Sequence, residues 1–391
     1  MRAFFISPRL ATFLMFVVNG AVVGTWIAAI PGIQASMGAS QTQIGLILLS
    51  AALGALVSQQ VTGQLLVRVS SRRMLQATSF LFPLLAPLPL LAPDPLVLAI
   101  VMFGWGAANT AMDVSMNAHG VALERTGGRS IFSGLHAGWS IGGMIGAAGV
   151  AAALFVGLAP LIEAAAAGLA LWVLALFTGR RLGVGSVRTE GASGISWPSK
   201  AVLPIAILVA LVALVEGGLS DWAGIYLRNA VGTSAGTAAF AYAALSLGLT
   251  VGRLGGDGVK DRIGSVRLIQ AGMLLAAIAM GLFLVIGNAA VALVGLVVAG
   301  IGIGNAIPQL FGAAGRIPPH GPSLSAAFNF LTIAFVVGPP VIGVTSDAIG
   351  IAAALSLLVV ASVVVAATVH RVRGAETNER FASLDPHAEV V

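Results

Sequence analysis

The segment Thr110–Gly120, TAMDVSMNAHG, sets an aspartate, an asparagine and a histidine inside a long apolar stretch. Asn109, Asp113 and Asn117 recur at every fourth residue, so in a helix they line one face. A bare carboxylate at the centre of a bilayer costs about 3 kcal/mol on insertion scales. Asp113 must therefore face the protein interior, a wet cavity or a partner. The following turn centres near Arg125, with Asp113 twelve residues before it and His136 eleven after. Antiparallel neighbours would bring the two to one depth. An Asp113–His136 pair that exchanges protons is one reading. A fixed structural pair, or a contact from Asp113 to a cytoplasmic arginine, is the other.

Glu216 and Asp221 lie five residues apart, about 140° around a helix, so they cannot share a face. Glu216, near mid-membrane, is a second candidate for proton coupling or substrate hydrogen bonding. Asp221 lies beside Trp222 nearer the outer end, where a gate or interfacial role competes with substrate contact. Asn305 and Gln309 form an i,i+4 pair, and Asn329 follows in the next span. With Asn19, Asn109 and Asn117 these amides are expected to bind solute hydroxyls in a central cavity, or else to hydrogen-bond between helices. Asp94, Glu163 and Asp347 read as solvated outer-loop residues, His119 as a packing residue near the inner surface, and His320, His370 and His387 as loop or tail residues. Arg253 is expected at the inner end of its helix, which leaves three acids and no base within a span. That balance disfavours an anionic solute, which needs a positive clamp, and favours a neutral or cationic one.

The elements that hold these residues follow from composition. The 391 residues are 58% apolar and only 9% charged, far from the quarter charged of a soluble domain. Runs of about 20 apolar residues, the length that crosses a bilayer, recur along the chain. Twelve spans are expected, beginning near Leu10, Thr42, Met74, Leu96, Ser130, Pro160, Ala201, Ala235, Val266, Ala289, Ser323 and Gly350. The first is too long for a signal peptide. With both termini in the cytoplasm, the inner segments hold Arg2, Arg9, Arg68, Arg72, Arg73, Arg125, Arg129, Arg180, Arg181, Arg188, Lys200, Arg253, Lys260, Arg262, Arg267, Arg316, Arg371, Arg373 and Arg380; only Arg228 lies outside. That asymmetry supports the even span count and a cytoplasmic (inner) membrane orientation. The basic residues are dispersed, so the sequence pI of about 10.9 does not indicate nucleic acid. The chain has no cysteine, which excludes disulfides, thiolate metal sites and a cysteine nucleophile. No nucleophile–base set, metal cluster or phosphate loop is found, so no enzyme activity and no cofactor are expected.

The polar stretch Gly179–Lys200 divides the chain. The expected organisation is a six-helix half over 1–179, a cytoplasmic linker over 180–200, a second six-helix half over 201–370, and a disordered tail over 371–391. An offset of 196 residues aligns Gly104, Gly106, Asn109 and Asp113 with Gly300, Gly302, Asn305 and Gln309, and Gly24–Trp26 with Ser220–Trp222. Asn19-Gly20 meets Glu216-Gly217 with a one-residue slip. Duplicated transporters keep their sites between such halves near the midplane. Glycines recur four apart at Gly134, Gly138, Gly142 and Gly146, and at Gly248, Gly252 and Gly256. Static close packing and a smooth surface on which the halves slide are both open readings.

Two loops carry a family resemblance. GQLLVRVSSRR (Gly63–Arg73) and GDGVKDRIGSVR (Gly256–Arg267) resemble the loop repeated in both halves of the major facilitator superfamily. The resemblance implies a gating role for Arg68, Arg72, Arg73, Asp261 and Arg262. The first copy departs from the pattern, with Val67 at the acid and Ser70 at the glycine. NGAVVGTW, MDVSMNAHG and EGGLSDWAGIYL resemble the rhizopine-associated, MosC-like branch, which is more distantly similar to fucose and glucose:proton symporters. Asp113 and Asn117 match the helix-4 carboxylate and amide of those symporters. Their helix-1 acid has no counterpart here, where Asn19 is nearest. The resemblance implies an all-α membrane fold of twelve helices and a monomeric, proton-coupled symporter taking up a sugar, polyol or amino-sugar. Proton-driven efflux of drugs or metabolites is the alternative; the fifth helix lacks the Gly-Pro of exporters, which favours uptake. A non-transporting receptor would bring a long cytoplasmic domain, and no such segment is read here.

Overall fold

The computed structural model describes residues 6–127, 131–183 and 197–372. Arg2, Arg129, Arg188, Arg373, Arg380 and His387, most of the expected linker and nearly all of the expected tail lie outside the described residues. Among the described residues the chain forms only helices and turns, and twelve stretches are long and apolar enough to cross a bilayer. Each begins within four residues of the start read from the sequence. A lipid environment offers the backbone no water, so a spanning segment must satisfy its own N–H and C=O groups as a helix.

The first half holds α1 (Pro8–Met37), α2 (Gln41–Arg68), α3 (Ser71–Leu81, continued by short 3-10 turns to Leu91), α4 (Pro95–Gly127), α5 (Phe132–Phe155) and α6 (Pro160–Gly179). The second half holds α7 (Leu203–Asn229), α8 (Ala235–Ile263), α9 (Ser265–Ile286), α10 (Ala289–Ile303), α11 (Ala306–Gly315), α12 (His320–Ile349) and α13 (Ile351–Thr368). α10 and α11 form one span, interrupted at Gly304–Asn305. Local sequence sets the ends. Ser40 and Gln43 form a capping box on α2, Ser234 caps α8, and Asp94 accepts from Leu96 N and Val97 N at the start of α4. These caps satisfy donors that a helix start leaves without partners. Large apolar side chains such as Leu96, Ile100, Phe177 and Val285 stand exposed on the outer wall, where lipid is the solvent.

Glycine decides which helices touch. Gly142 and Gly146 rest on the α1 backbone at Val17 and Ala21, and Gly138 rests on Phe13. Gly248 and Gly252 rest on the α10 backbone at Val297 and Ile301, and Gly256 on the side chain of Asn305. Both ridges thus pack helices within a half. This corrects the sliding-surface reading: the close approach is internal to each bundle, where lipid-embedded helices gain most from backbone contact.

The halves meet where α5 packs on α8 and α2 packs on α12, with α1 also touching α7 and α8. The end of the bundle opposite the described chain ends is sealed. There Gly45 lies against the Pro339 carbonyl, Gly343 against the Gln41 carbonyl, Gly224 against Pro31 and Gly236 against the Phe155 ring. Gln34 accepts from Asn229 at 3.0 Å across the same seam. At the other end, among the described residues, no packed face joins α4 to α10 or α11.

Candidate substrate and coupling site

Asn19, buried at 1% exposure, ties three helices of the first half. Its Nδ2 donates to Asn109 Oδ1 at 3.0 Å, and its Oδ1 accepts from Trp139 Nε1 at 2.8 Å. Gly20 makes this possible, because its missing side chain lets α1 lie directly on the Trp139 carbonyl. Buried amides need such partners, since each unpaired polar group costs about 1–3 kcal/mol.

One residue along α5, Ser140 joins a second network. Arg253 Nη1 donates to Ser140 Oγ at 2.6 Å, and Arg253 Nη2 pairs with Glu216 Oε1 at 2.9 Å. The two charged side chains are only 17% and 15% exposed. Arg253 therefore lies within the eighth span, Ala235–Gly256, and the expectation of no base inside a span is corrected. A long side chain near a helix end often reaches for the interface; here a carboxylate on α7 draws it inward instead. Ser140 Oγ in turn donates to the His136 carbonyl at 3.4 Å. The His136 ring meets Phe16 edge-on at 5.4 Å and lies within electrostatic reach of Arg253. The buried Tyr242 stands against Gly143 and within electrostatic reach of Glu216, Arg253 and Asp221. The guanidinium is thus shared between a carboxylate of one half and a hydroxyl of the other.

Asp113 has a different partner from the one expected. Its Oδ1 accepts from Asn117 Nδ2 at 3.0 Å, one turn along the same helix. The Asp113–His136 pair presumed α4 and α5 to be side by side. Instead α4 runs along α2, and α5 runs along α1 and α8. Matched depth did not make them packing neighbours, because the intervening turn does not fix which helices pack. Asn117 Oδ1 is buried without a hydrogen-bond partner among the described residues. Asp221 is half-buried and makes no hydrogen bond or ion pair among the described residues.

The amides of the tenth span do not converge on this cluster. Asn305 Nδ2 donates to the Gly252 carbonyl, pinning the break between α10 and α11 to α8. Gln309 Oε1 accepts from Ser265 Oγ at 3.0 Å, beside the turn between α8 and α9. Asn329 is half-buried on α12. In the two loops, Arg68, Arg73, Asp261 and Arg262 are exposed, while Arg72 reaches the Arg180 carbonyl at 3.5 Å. His119 is fully buried, with Nδ1 3.4 Å from Ser71 Oγ. Asp347 is exposed, as expected, and also accepts from the start of α2, whereas Glu163 is half-buried beside Gly149.

Two six-helix bundles, a polar seam between them and one sealed end describe a transporter architecture. The sequence pattern of the Major Facilitator Superfamily matches residues 12–332. The chain belongs to that superfamily. It is 31% identical over 366 residues to an uncharacterized MFS-type transporter of Yersinia pestis, covering 91% of this chain and 95% of the relative. It is 29% identical to the membrane protein MosC of Rhizobium meliloti, covering 91% and 88%. Among solved structures, the E. coli fucose:proton symporter FucP shares the fold with a TM-score of 0.62 at 16% identity, covering 93% of this chain and 98% of the other. In this multi-pass membrane transporter the Asn19 network lies within the first half, and the Arg253 network joins the two halves through Ser140.

Sequence reasoning missed Trp139, Ser140 and Tyr242 and the inward pairing of Arg253. A signal was present: Ser246, Thr250 and Arg253 stand at i, i+4 and i+7, a polar stripe on an otherwise apolar helix. In its own span Ser140 carries a similar mark, with His136 and Ser133 four and seven residues before it.

Proposed function

We propose that this transporter takes up a small neutral or cationic solute, of the sugar, polyol or amino-sugar kind, together with protons. It works by alternating access as a monomer in a bacterial cytoplasmic membrane, with both termini inside. The observation that carries the reading is the shared guanidinium of Arg253, held at once by Glu216 and by Ser140 of the opposite half. Any motion that separates α5 from α8 must break or remake one of those bonds. Protonating Glu216 removes its charge and weakens its hold on Arg253, so the equilibrium between the two arrangements depends on proton binding. Asp113 and His136 are the further candidates for proton handling.

Charge supports the solute class. Arg253 is neutralised by Glu216, which leaves Asp113 and Asp221 without a cation in the described spans. Such a seam repels anions. Asn109, held in place by Asn19, and Asn117 beside Asp113 offer amide groups suited to hydroxyls, while the single N–H of Trp139 is spent on Asn19. Asn305, Gln309 and Asn329 remain weaker candidates for solute contact, since the first two are engaged by α8 and α9. The asymmetry of basic residues makes the sealed end the outer one, and the state described is then open to the cytoplasm. FucP is named a fucose:proton symporter, which is compatible with this assignment.

The test is uptake of a panel of labelled polyols, sugars and amino-sugars into proteoliposomes under an imposed pH gradient. Accumulation of at least one, driven by acid outside, is expected. Gradient-driven movement of none of them, in either direction, would reject the reading.

A further inference from the structure

The sealed end carries two polar ties between the halves, Asn229 to Gln34 between α7 and α1 and, at the α2–α12 seam, a carboxylate on a helix start. Asp347, near the end of α12, accepts from Gln41 N at 3.0 Å and from Thr42 N at 2.8 Å. These are two of the N–H groups that the start of α2 leaves without helical partners. The other two nearby donors, Ser40 N and Gln43 N, are satisfied within the capping box. Asp347 thus completes the helix start from across the seam, from a residue 306 positions away. Its negative charge also faces the positive end of the α2 dipole.

The second seam lacks this device. The 196-residue offset of the repeat sets Ala151 at the position equivalent to Asp347. There α1, α5 and α8 meet in a small cluster that includes Ala28, Ala147, Ala151, Ala239 and Tyr242, apolar apart from the Tyr242 hydroxyl. At the sealed end the α5–α8 seam is held by non-directional contacts, its Arg253–Ser140 hydrogen bond lying toward the other end of α8, whereas the α2–α12 seam has a charge aimed at two backbone donors. Gly45 and Gly343 bring the α2 and α12 backbones close enough for the carboxylate to reach.

We infer that Asp347 is a gating residue: its carboxylate, seated on the α2 start, holds the end opposite the chain termini closed, and its release is part of opening. The inference rests on the alternating-access reading, but not on proton coupling or on the identity of the solute. In the closed arrangement the lock is made, with Asp347 still exposed to solvent; in the opposite one Gln41 N and Thr42 N exchange the carboxylate for water. Asp347 is a positioning residue, acting through α2 and not on the solute.

The chain has no cysteine, so one introduced thiol reports without background. Ala239→Cys, at 0% exposure in the apolar seam, is the reporter, read as its rate of maleimide labelling in detergent. Adding Asp347→Ala is expected to raise the rate about two- to five-fold, the effect of one charge at a helix terminus. Asp347→Asn, which keeps one acceptor oxygen, is expected to raise it less. It also keeps the test decisive should the alanine variant fail to fold. Gly343→Ala, which drives a methyl into the Gln41 carbonyl, is expected to raise the rate by wedging the seam. A rise with Gly343→Ala but none with either Asp347 variant would overturn the lock and leave alternating access standing. No rise with any of the three would overturn the lock and count against motion at this end as well.

Discussion

Arg253 carries a full charge into the eighth span, and Glu216 and Ser140 answer it. An ion pair this little exposed gains from its geometry only while both members are present; removing one leaves the other charge without compensation, at a cost of about 3–5 kcal/mol. Arg253→Ala is therefore expected to lower the melting temperature in detergent strongly. Pairing Glu216→Gln with Arg253→Met, which removes both charges, is expected to recover most of the loss. If the double variant melts no higher than the arginine single, the pair is not the origin of the effect. Asn19→Ala strands Trp139 Nε1 and part of Asn109 in the interior. The expected loss is about 1–3 kcal/mol, read in the same melting assay.

Helices were legible because their causes are local. Apolar length, Gly38, Gly264 and Gly287 at turns, and capping serines are all written in short stretches. Which side of a helix faces which neighbour is another matter. The spans are apolar almost all round, so periodicity says little about facing. Glu216 and Arg253 are 37 residues apart, and Ser140 and Arg253 are 113 apart. Their meeting is a product of how α5, α7 and α8 pack. The same limit undid the Asp113–His136 pair and let the α5 glycines be read as a sliding surface. At this scale the prediction is steric. Gly142→Leu would force a side chain into the α1 backbone and is expected to cost at least the 1–3 kcal/mol of ordinary overpacking. Gly134→Ala meets nothing within 4 Å and is expected to be neutral or slightly stabilising. Equal melting temperatures for the two variants would show that the ridge does not pack as described.

At the scale of the whole molecule, the repeat placed Asn19 and Glu216 at matching positions with a one-residue slip, and each takes part in a polar network, Asn19 as its centre and Glu216 as the partner of Arg253. The halves are not copies in chemistry. The first presents amides and an indole, the second an ion pair, and α5 joins them through consecutive residues, Trp139 and Ser140. That division suggests solute recognition weighted toward the first half and coupling weighted toward the second. The most direct measurement compares wild type with Glu216→Gln in proteoliposomes, following one panel solute both by exchange at equal pH and by uptake with acid outside. The account predicts that wild type concentrates the solute under the gradient, whereas Glu216→Gln still exchanges it but no longer concentrates it. Gradient-driven accumulation by Glu216→Gln at the wild-type level would contradict the account.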